Sequence, residues 1–271
     1  MKSFAISLLL SLLCCLGTRS SAQTDDASAP TYYNMYSYIK VAPGKHAEYL
    51  KLEKAWKKIH AARIKAGRMD SWCLMDVLSP SGAACEYNYV TRNTFKGDEQ
   101  LAEFFEGTFM PDDWQSLLTK EELDLVNRTD EIRTLVKNEV WSTVDKTMAA
   151  DMSNAKISVF NYFDFPEGKT SADHVKMEQD IWKPVHDARV KDGQLKGWLL
   201  LRLEFPFGAD MPYHDATIDV YTDMKQLLAP WFEEIFAKVH AGKNIADLMK
   251  ATREAARLVK GELRIDIDKL N

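Results

Sequence analysis

Residues 56–72 read WKKIHAARIKAGRMDSW, and residues 182–198 read WKPVHDARVKDGQLKGW. Trp, Lys, His, Ala, Arg, Lys, Gly and Trp recur at one offset of 126 positions, from Trp56 to Trp182 and on to Trp72 and Trp198. A gapless match of this length is hard to reach by chance. The period is too long for a solenoid and suits a small domain, so the 271-residue chain reads as a duplicated unit. Two units of roughly a hundred residues can each bury a core without staples.

Outward from the repeat, residues 32–41 alternate, with Met35, Ser37, Ile39 and Val41 on one side and Tyr36, Tyr38 and Lys40 on the other. This predicts a strand. Pro43 and Gly44 end it, and residues 46–66 have helical spacing closed by Gly67. Strands are predicted at 72–77 and 86–92 around the turn Ser79-Pro80-Ser81-Gly82, followed by a helical region interrupted at Pro111 and a fourth strand at 135–144. The second copy keeps that order: strand 157–165, helix 172–191 with Gly193 after it, strands 198–204 and 216–221, helices 225–240 and 245–258, strand 258–267. Each unit is therefore β-α-β-β-α-β, the ferredoxin-like plait, and the fold class is α+β. The expected domains are 32–146 and 156–271, with a linker at 147–155. In the hairpin strands, Leu199, Leu201 and Leu203 are expected against the helices. Trp198, Leu200 and Arg202, with their counterparts Trp72, Leu74 and Asp76, would then face the other sheet.

Residues 1–22 predict a secretion signal, with Lys2, an apolar run from Phe4 to Leu16, and small residues Ser20, Ser21 and Ala22 at the cleavage site. A polar leader at 23–31 follows. The expected location is secreted or periplasmic, with a lipoprotein as the competing possibility because Cys14 and Cys15 lie in the apolar run. Cys73 and Cys85 are the only other cysteines, and the hairpin register sets them too far apart to pair. The net charge of −5, with both signs interspersed, carries no basic stripe for nucleic acid. No later segment is long and apolar enough to span a bilayer.

A tandem plait whose two sheets face each other resembles the dimeric α+β barrel superfamily fused into one chain. That superfamily includes antibiotic-biosynthesis-type monooxygenases, EthD-like and NIPSNAP-like proteins, and haem-handling members. The resemblance rests on topology and on the duplicated helix. It implies an intramolecular pseudo-dimer and, by analogy alone, small-molecule chemistry.

Projected at ~100° per residue, the first helix sets Tyr49, Leu52, Trp56, Ile59 and Gly67 on one face, with Arg63 central and His60 at its edge. The second copy sets Val175, Trp182 and Val185 there, with Arg189 central and His186 flanking. An arginine inside an apolar stripe needs a partner. One reading is structural, with each Arg capping carbonyls or meeting a carboxylate and each His packed. The other is a pocket between helix and sheet, where Arg holds an acidic or carbonyl-bearing ligand and His moves protons. The copies differ: Leu52 aligns with Glu178, Ser37 with Asn161 and Lys58 with Pro184, and only the second adds His214 and His240. The second repeat is thus expected to carry the site, with His186, Arg189 and Glu178 catalytic and Asn161 and Trp182 binding ligand. Trp56, His60 and Arg63, the first-repeat equivalents, are further ligand-binding candidates in a repeat expected to be mostly structural.

A further candidate is the space between the sheets, with Glu139, Trp141, Glu262 and Arg264 beside Trp72, Asp76, Trp198 and Arg202. Salt bridges between the halves, Asp76 to Arg202 and Glu262 to Arg264, are the structural alternative there. No zinc-type spacing or nucleophile elbow occurs. Haem-degrading relatives use an Asn, Trp and His set, and the first copy has Ser37 against Asn161 and no counterpart of His240. No metal or cofactor is expected. The two function hypotheses are a cofactor-independent oxygenase or isomerase acting on a small aromatic or acidic compound, and a non-catalytic ligand-binding or interaction module.

Overall fold

The computed structural model describes residues 29–208 and 210–271. The expected export signal, and the leader up to residue 28, lie outside the described residues. The first unit runs β1 (Tyr32–Lys40), α1 (His46–Lys65), β2 (Ser71–Ser79), β3 (Tyr89–Lys96) and α2 (Gly97–Phe105). It continues through a single 3-10 turn (Trp114–Leu117), α3 (Lys120–Asn127) and α4 (Thr129–Ile132) to β4 (Thr134–Met148). The second runs β5 (Ile157–Asp164), α5 (Ser171–Met177), a π turn (Glu178–Trp182), α6 (Lys183–Lys191), β6 (Gly197–Phe205) and β7 (Asp215–Tyr221). It closes with α7 (Met224–Leu228), α8 (Phe232–Val239), α9 (Ile245–Ala255) and β8 (Arg257–Leu270). The helix expected over 225–240 is two, because Pro230 has no amide N–H to continue the first.

The eight strands close into an antiparallel barrel in the order β1-β3-β2-β8-β5-β7-β6-β4. The halves join edge to edge, β2 to β8 (Leu74 opposite Asp268) and β4 to β6 (Thr143 opposite Leu201). The length of β4, 15 residues, makes this geometry: its first part pairs with β1 and its second part continues onto β6. Closure leaves no bare sheet edge. Gly67 and Gly193, at φ 72° and 71°, turn the chain after α1 and α6 in a region that other residues avoid.

The hairpin faces are the reverse of the expectation. Leu199, Leu201 and Leu203 line the lumen with Cys73, Met75 and Val77, whereas Trp72 and Trp198 pack toward the helices at 1% exposure each. Alternation establishes that two faces exist but not which one is inside, and here both are apolar. The helix supplies the missing polarity, since each Trp stacks on the histidine of its own repeat, His60 on Trp72 and His186 on Trp198. Each buried indole removes roughly 150–250 Å² from water, on the order of 4–6 kcal/mol gross at ~25 cal/mol per Å².

The lumen is filled by a network that repeats across the two halves. Tyr213 and Tyr38 donate to Glu139 at 2.6 and 2.7 Å, and Tyr87 donates to Glu262. Lys137 lies 2.9 Å from Glu139, and Lys260 pairs with Glu262. Tyr38 and Tyr162 meet hydroxyl to hydroxyl at 3.2 Å. The symmetry breaks where Trp141 of β4 is matched by Arg264 of β8, which pairs with Glu262. The Glu262–Arg264 bridge is present, but both residues lie on β8, so it does not join the halves as expected. The Asp76–Arg202 bridge is not present, because both residues lie on the helix face, and Arg202 donates to Ser171 at 2.9 Å. Cross-repeat bonds from Tyr213 to Glu139 and from Tyr87 to Glu262 tie the halves together instead.

Candidate functional site

The repeated residues build the same assembly twice. His60 lies 5.3 Å from Trp72 at 19° between ring planes and 6.2 Å from Trp56. His186 lies 5.1 Å from Trp198 at 13° and 6.3 Å from Trp182. The neighbouring guanidinium donates to the imidazole Nδ1, Arg63 to His60 at 3.0 Å and Arg189 to His186 at 3.4 Å. An accepting Nδ1 places the ring proton on Nε2. Burial, then the adjacent arginine, pushes His186 down to about 3, and the same causes hold His60 well below its ordinary range. Both rings are therefore neutral at pH 7 and act as acceptors that hold arginines.

Arg63 and Arg189 are buried, at 3% and 1% exposure, as expected from their place on the apolar stripe. Their partners differ. Arg189 donates to the Tyr221 hydroxyl at 3.0 Å, lies 3.9 Å from Asp219 and is covered by Trp231, 3.7 Å from Cζ to ring centre. Arg63 has no ion pair among the described residues. It contacts His60 and the Met110 sulfur and lies 4.0 Å from the Phe109 ring. Burial with no anion beside it brings Arg63 down to about 9.

The pairing of Leu52 with Glu178 does not survive in three dimensions. Ser171 opens α5 and Trp182 follows 11 positions later, whereas His46 and Trp56 are 10 apart. The π turn absorbs the extra residue, with the Lys183 N–H reaching back to the Glu178 carbonyl. Pro184 sits at the start of α6 and offers no N–H of its own. Upstream of that turn the true offset is 125, and the buried positions match accordingly: Tyr49 with His174, Leu52 with Met177 and Glu53 with Glu178. Each repeat thus carries a buried glutamate. Glu178 faces His174 at 3.4 Å, and His174 meets Asp215 at 2.9 Å. Although burial opposes it, these two carboxylates raise His174 to about 9. Glu53 lies 3.9 Å from Arg133, and burial pushes its carboxyl up despite that arginine.

In the first repeat this arrangement surrounds a cavity of about 160 Å³. Its walls are the rings of Trp56, Phe104 and Phe109, the polar groups Glu53, His60, Arg63 and Arg133, and Ser37, Thr91 and Asn93 from the sheet. Glu53 Oε1, Trp56 Nε1, Arg63 Nε, Asn93 Oδ1 and Arg133 Nε have no hydrogen-bond partner among the described residues. Unpaired buried groups at this density are costly unless a ligand or water completes them. The second repeat, expected to hold the more polar site, replaces Asn93 with Asp219 and Arg133 with Ala256. Burial raises Asp219 to about 6. Asn161 donates to Thr217 at 3.4 Å, Trp182 donates to Thr252 at 3.1 Å, and His240 donates to the Ile181 carbonyl in the π turn at 2.9 Å. Of the expected set, Trp56, His60 and Arg63 line the first-repeat cavity. Trp182, His186 and Arg189 form the second-repeat counterpart, with Glu178 turned to His174 and Asn161 bonded on the sheet.

Sequence comparison of the two helices missed Glu53, Arg133, Asn93, His174 and Asp219. One signal was present: the offset is 124 at Ser37 and Asn161 but 126 at the tryptophans, so residues are inserted between them and the downstream alignment does not extend upstream. Among the described residues no group of three or more His, Cys, Asp or Glu is placed to hold a metal ion, and no helix is long and apolar enough to cross a membrane. Cys73 and Cys85 are both free, the first buried.

The chain is similar in structure to a proposed monooxygenase from Fusobacterium nucleatum subsp. nucleatum ATCC 25586, with a TM-score of 0.54 and 10% identity over 90% of this chain and 95% of that one. It is also similar to an anthrone oxidase-like protein, with a TM-score of 0.51 and 9% identity over 90% and 94%. At these identities the likeness is one of fold. No family model matches the chain, and no curated protein matches it.

Proposed function

We propose that this chain, a dimeric α+β barrel with both halves in one polypeptide, is an exported small-molecule enzyme of the oxygenase kind. It works without a cofactor on a small aromatic or acidic compound, and its site is the first-repeat cavity. The observation that carries this reading is the set of unpaired polar atoms, from two arginines, a glutamate, a tryptophan and an asparagine, around one ring-lined space. The fold shared with a proposed monooxygenase and an anthrone oxidase-like protein supports the reaction class by analogy. The apolar run at residues 4–16 supports export.

The step that this site assists is removal of a proton from an acidic C–H or O–H. Glu53, its carboxyl raised by burial, takes the proton. Arg63 and Arg133 hold the substrate's anionic group, and their positive charge lowers the cost of the negative charge that develops nearby. The resulting anion is electron-rich enough to give electrons to dioxygen. For a C–H acid, oxygen adds to carbon and the proton returns from Glu53 to the peroxide, so substrate plus dioxygen equals hydroperoxide. His60 holds Arg63 in place and moves no proton. In this scheme the second-repeat set, His186, Arg189 and Glu178, positions the barrel's other half.

The test is oxygen uptake by the chain beginning at Gln23, across hydroquinones and enolisable aromatic ketones and acids. Turnover that falls at least 100-fold in Glu53→Gln while ligand binding persists supports the reading. Binding without oxygen uptake from any compound would assign the cavity to a binding module instead.

A further inference from the structure

We infer that the first-repeat cavity selects a single-ring aromatic acid, seated with its carboxylate on Arg63 and Arg133 and its ring among Trp56, Phe104 and Phe109. This rests on the reading above that the cavity is the ligand site. Three independent features narrow the ligand. Size is the first. A volume of about 160 Å³ is close to the ~150 Å³ that admits benzene in an engineered apolar cavity, a space on the scale of one ring.

Charge is the second. Two guanidinium groups and one carboxylate leave an excess of one positive charge, which one monoanion neutralises. Arg63, held near 9 by burial with no anion at hand, is the group that such a ligand relieves. Polarity pattern is the third. The unpaired donors are Arg63 Nε, Arg133 Nε and Trp56 Nε1, and the unpaired acceptors are Glu53 Oε1 and Asn93 Oδ1. Donors on two arginines suit the two oxygens of a planar carboxylate, while the acceptors suit an acidic hydroxyl elsewhere on the ring.

The second repeat is an internal control. There Ala256 stands for Arg133 and Asp219 for Asn93, so one cation is lost and one carboxylate gained. Arg189 has what Arg63 lacks, a hydroxyl partner in Tyr221 at 3.0 Å and a carboxylate in Asp219 at 3.9 Å, although its Nε and Asp219 Oδ1 also have no hydrogen-bond partner among the described residues. The same scaffold is an anion receptor only where the charge count leaves a cation over.

Isothermal titration with benzoate, phenol, benzylamine and 2-naphthoate tests the inference on the chain beginning at Gln23. Benzoate should bind at least tenfold tighter than phenol or benzylamine, and tighter than 2-naphthoate. Arg133→Met should weaken benzoate at least tenfold and leave phenol unchanged. Because that variant strands Glu53, Glu53→Gln gives a second measure: it removes a negative charge, so benzoate should tighten severalfold. Benzoate no tighter than phenol, or indifferent to both variants, overturns the acid class, as does no heat from any compound. Ser37→Leu, which fills the cavity from the sheet, separates the two claims. If it leaves benzoate binding intact, the cavity itself is the wrong place. If it abolishes phenol binding in a protein that does not prefer benzoate, the cavity stands and only the ligand class falls.

Discussion

Replacing Arg264 with leucine removes a buried lumen cation whose place in the first repeat is taken by Trp141, and leaves Glu262 buried with Lys260. Burial alone would raise the Glu262 carboxyl, but Arg264, then Lys260 and Tyr87, bring it down from 4.5 to about 2. That difference of 2.5 units, at ~1.36 kcal/mol per unit, amounts to roughly 3 kcal/mol of linkage. Because the folded value lies below the unfolded one, this stabilisation is fully present above about pH 4.5 and is lost as pH falls toward 2. Breaking a buried pair by deleting one partner costs about 3–5 kcal/mol. Urea unfolding at pH 7 should therefore show Arg264→Leu less stable by about 3 kcal/mol, with a flatter dependence between pH 4.5 and 2. The double variant Arg264→Leu/Glu262→Met should recover most of the loss, because no charge is then stranded. A single variant within about 1 kcal/mol of wild type, or a double variant no better than the single, would refute the view that this pair is a coupled buried unit.

Other outcomes follow from the same geometry. His174 is held near 9 by Asp215 and Glu178, so unfolding free energy should decline as pH rises from 6.5 through 9, and His174→Gln should flatten that slope in urea titrations. His186 is depressed to about 3; it should stay neutral in an NMR titration from pH 8 to 4, while acid destabilises the fold below about pH 6.5 as the unfolded chain takes up its proton. Burial pushes Cys73 up to about 12, so in the chain beginning at Gln23 a thiol reagent should label Cys85 first and reach Cys73 only on unfolding. Trp231→Ala should expose Arg189, at a cost of about 1–2 kcal/mol from the lost cation–π contact, read as a lowered urea midpoint.

The plait order was legible because hydrophobic period and turn residues mark strands and helices locally, and the Trp-to-Trp repeat sets the second copy against the first. The lumen pairs Glu139 and Glu262 were legible for the same reason, by alternation along the closing strands. The inside and outside of the hairpins were not. Trp72 and Cys73, or Trp198 and Leu199, are all apolar, and only the histidine on the opposing helix shows which one faces it. The first-repeat cavity was hidden by a single inserted residue. A π turn shifts every upstream position by one, so Glu178 was set against Leu52 instead of Glu53, and the second repeat was credited with a polarity that the first shares. Arg133 comes from the short segment between α4 and β4 and has no sequence neighbour among the site residues. Only the closed fold brings it to Glu53.

The most direct test of the first-repeat site is a crystal structure of the chain grown with benzoate. Ligand density between Trp56 and Phe109, with carboxylate oxygens at hydrogen-bond distance from Arg63 and Arg133 and none beside Asp219, is the expected result. Density in the second repeat against Arg189 and Trp231, or an unliganded first-repeat cavity beside a ligand bound elsewhere, would contradict it.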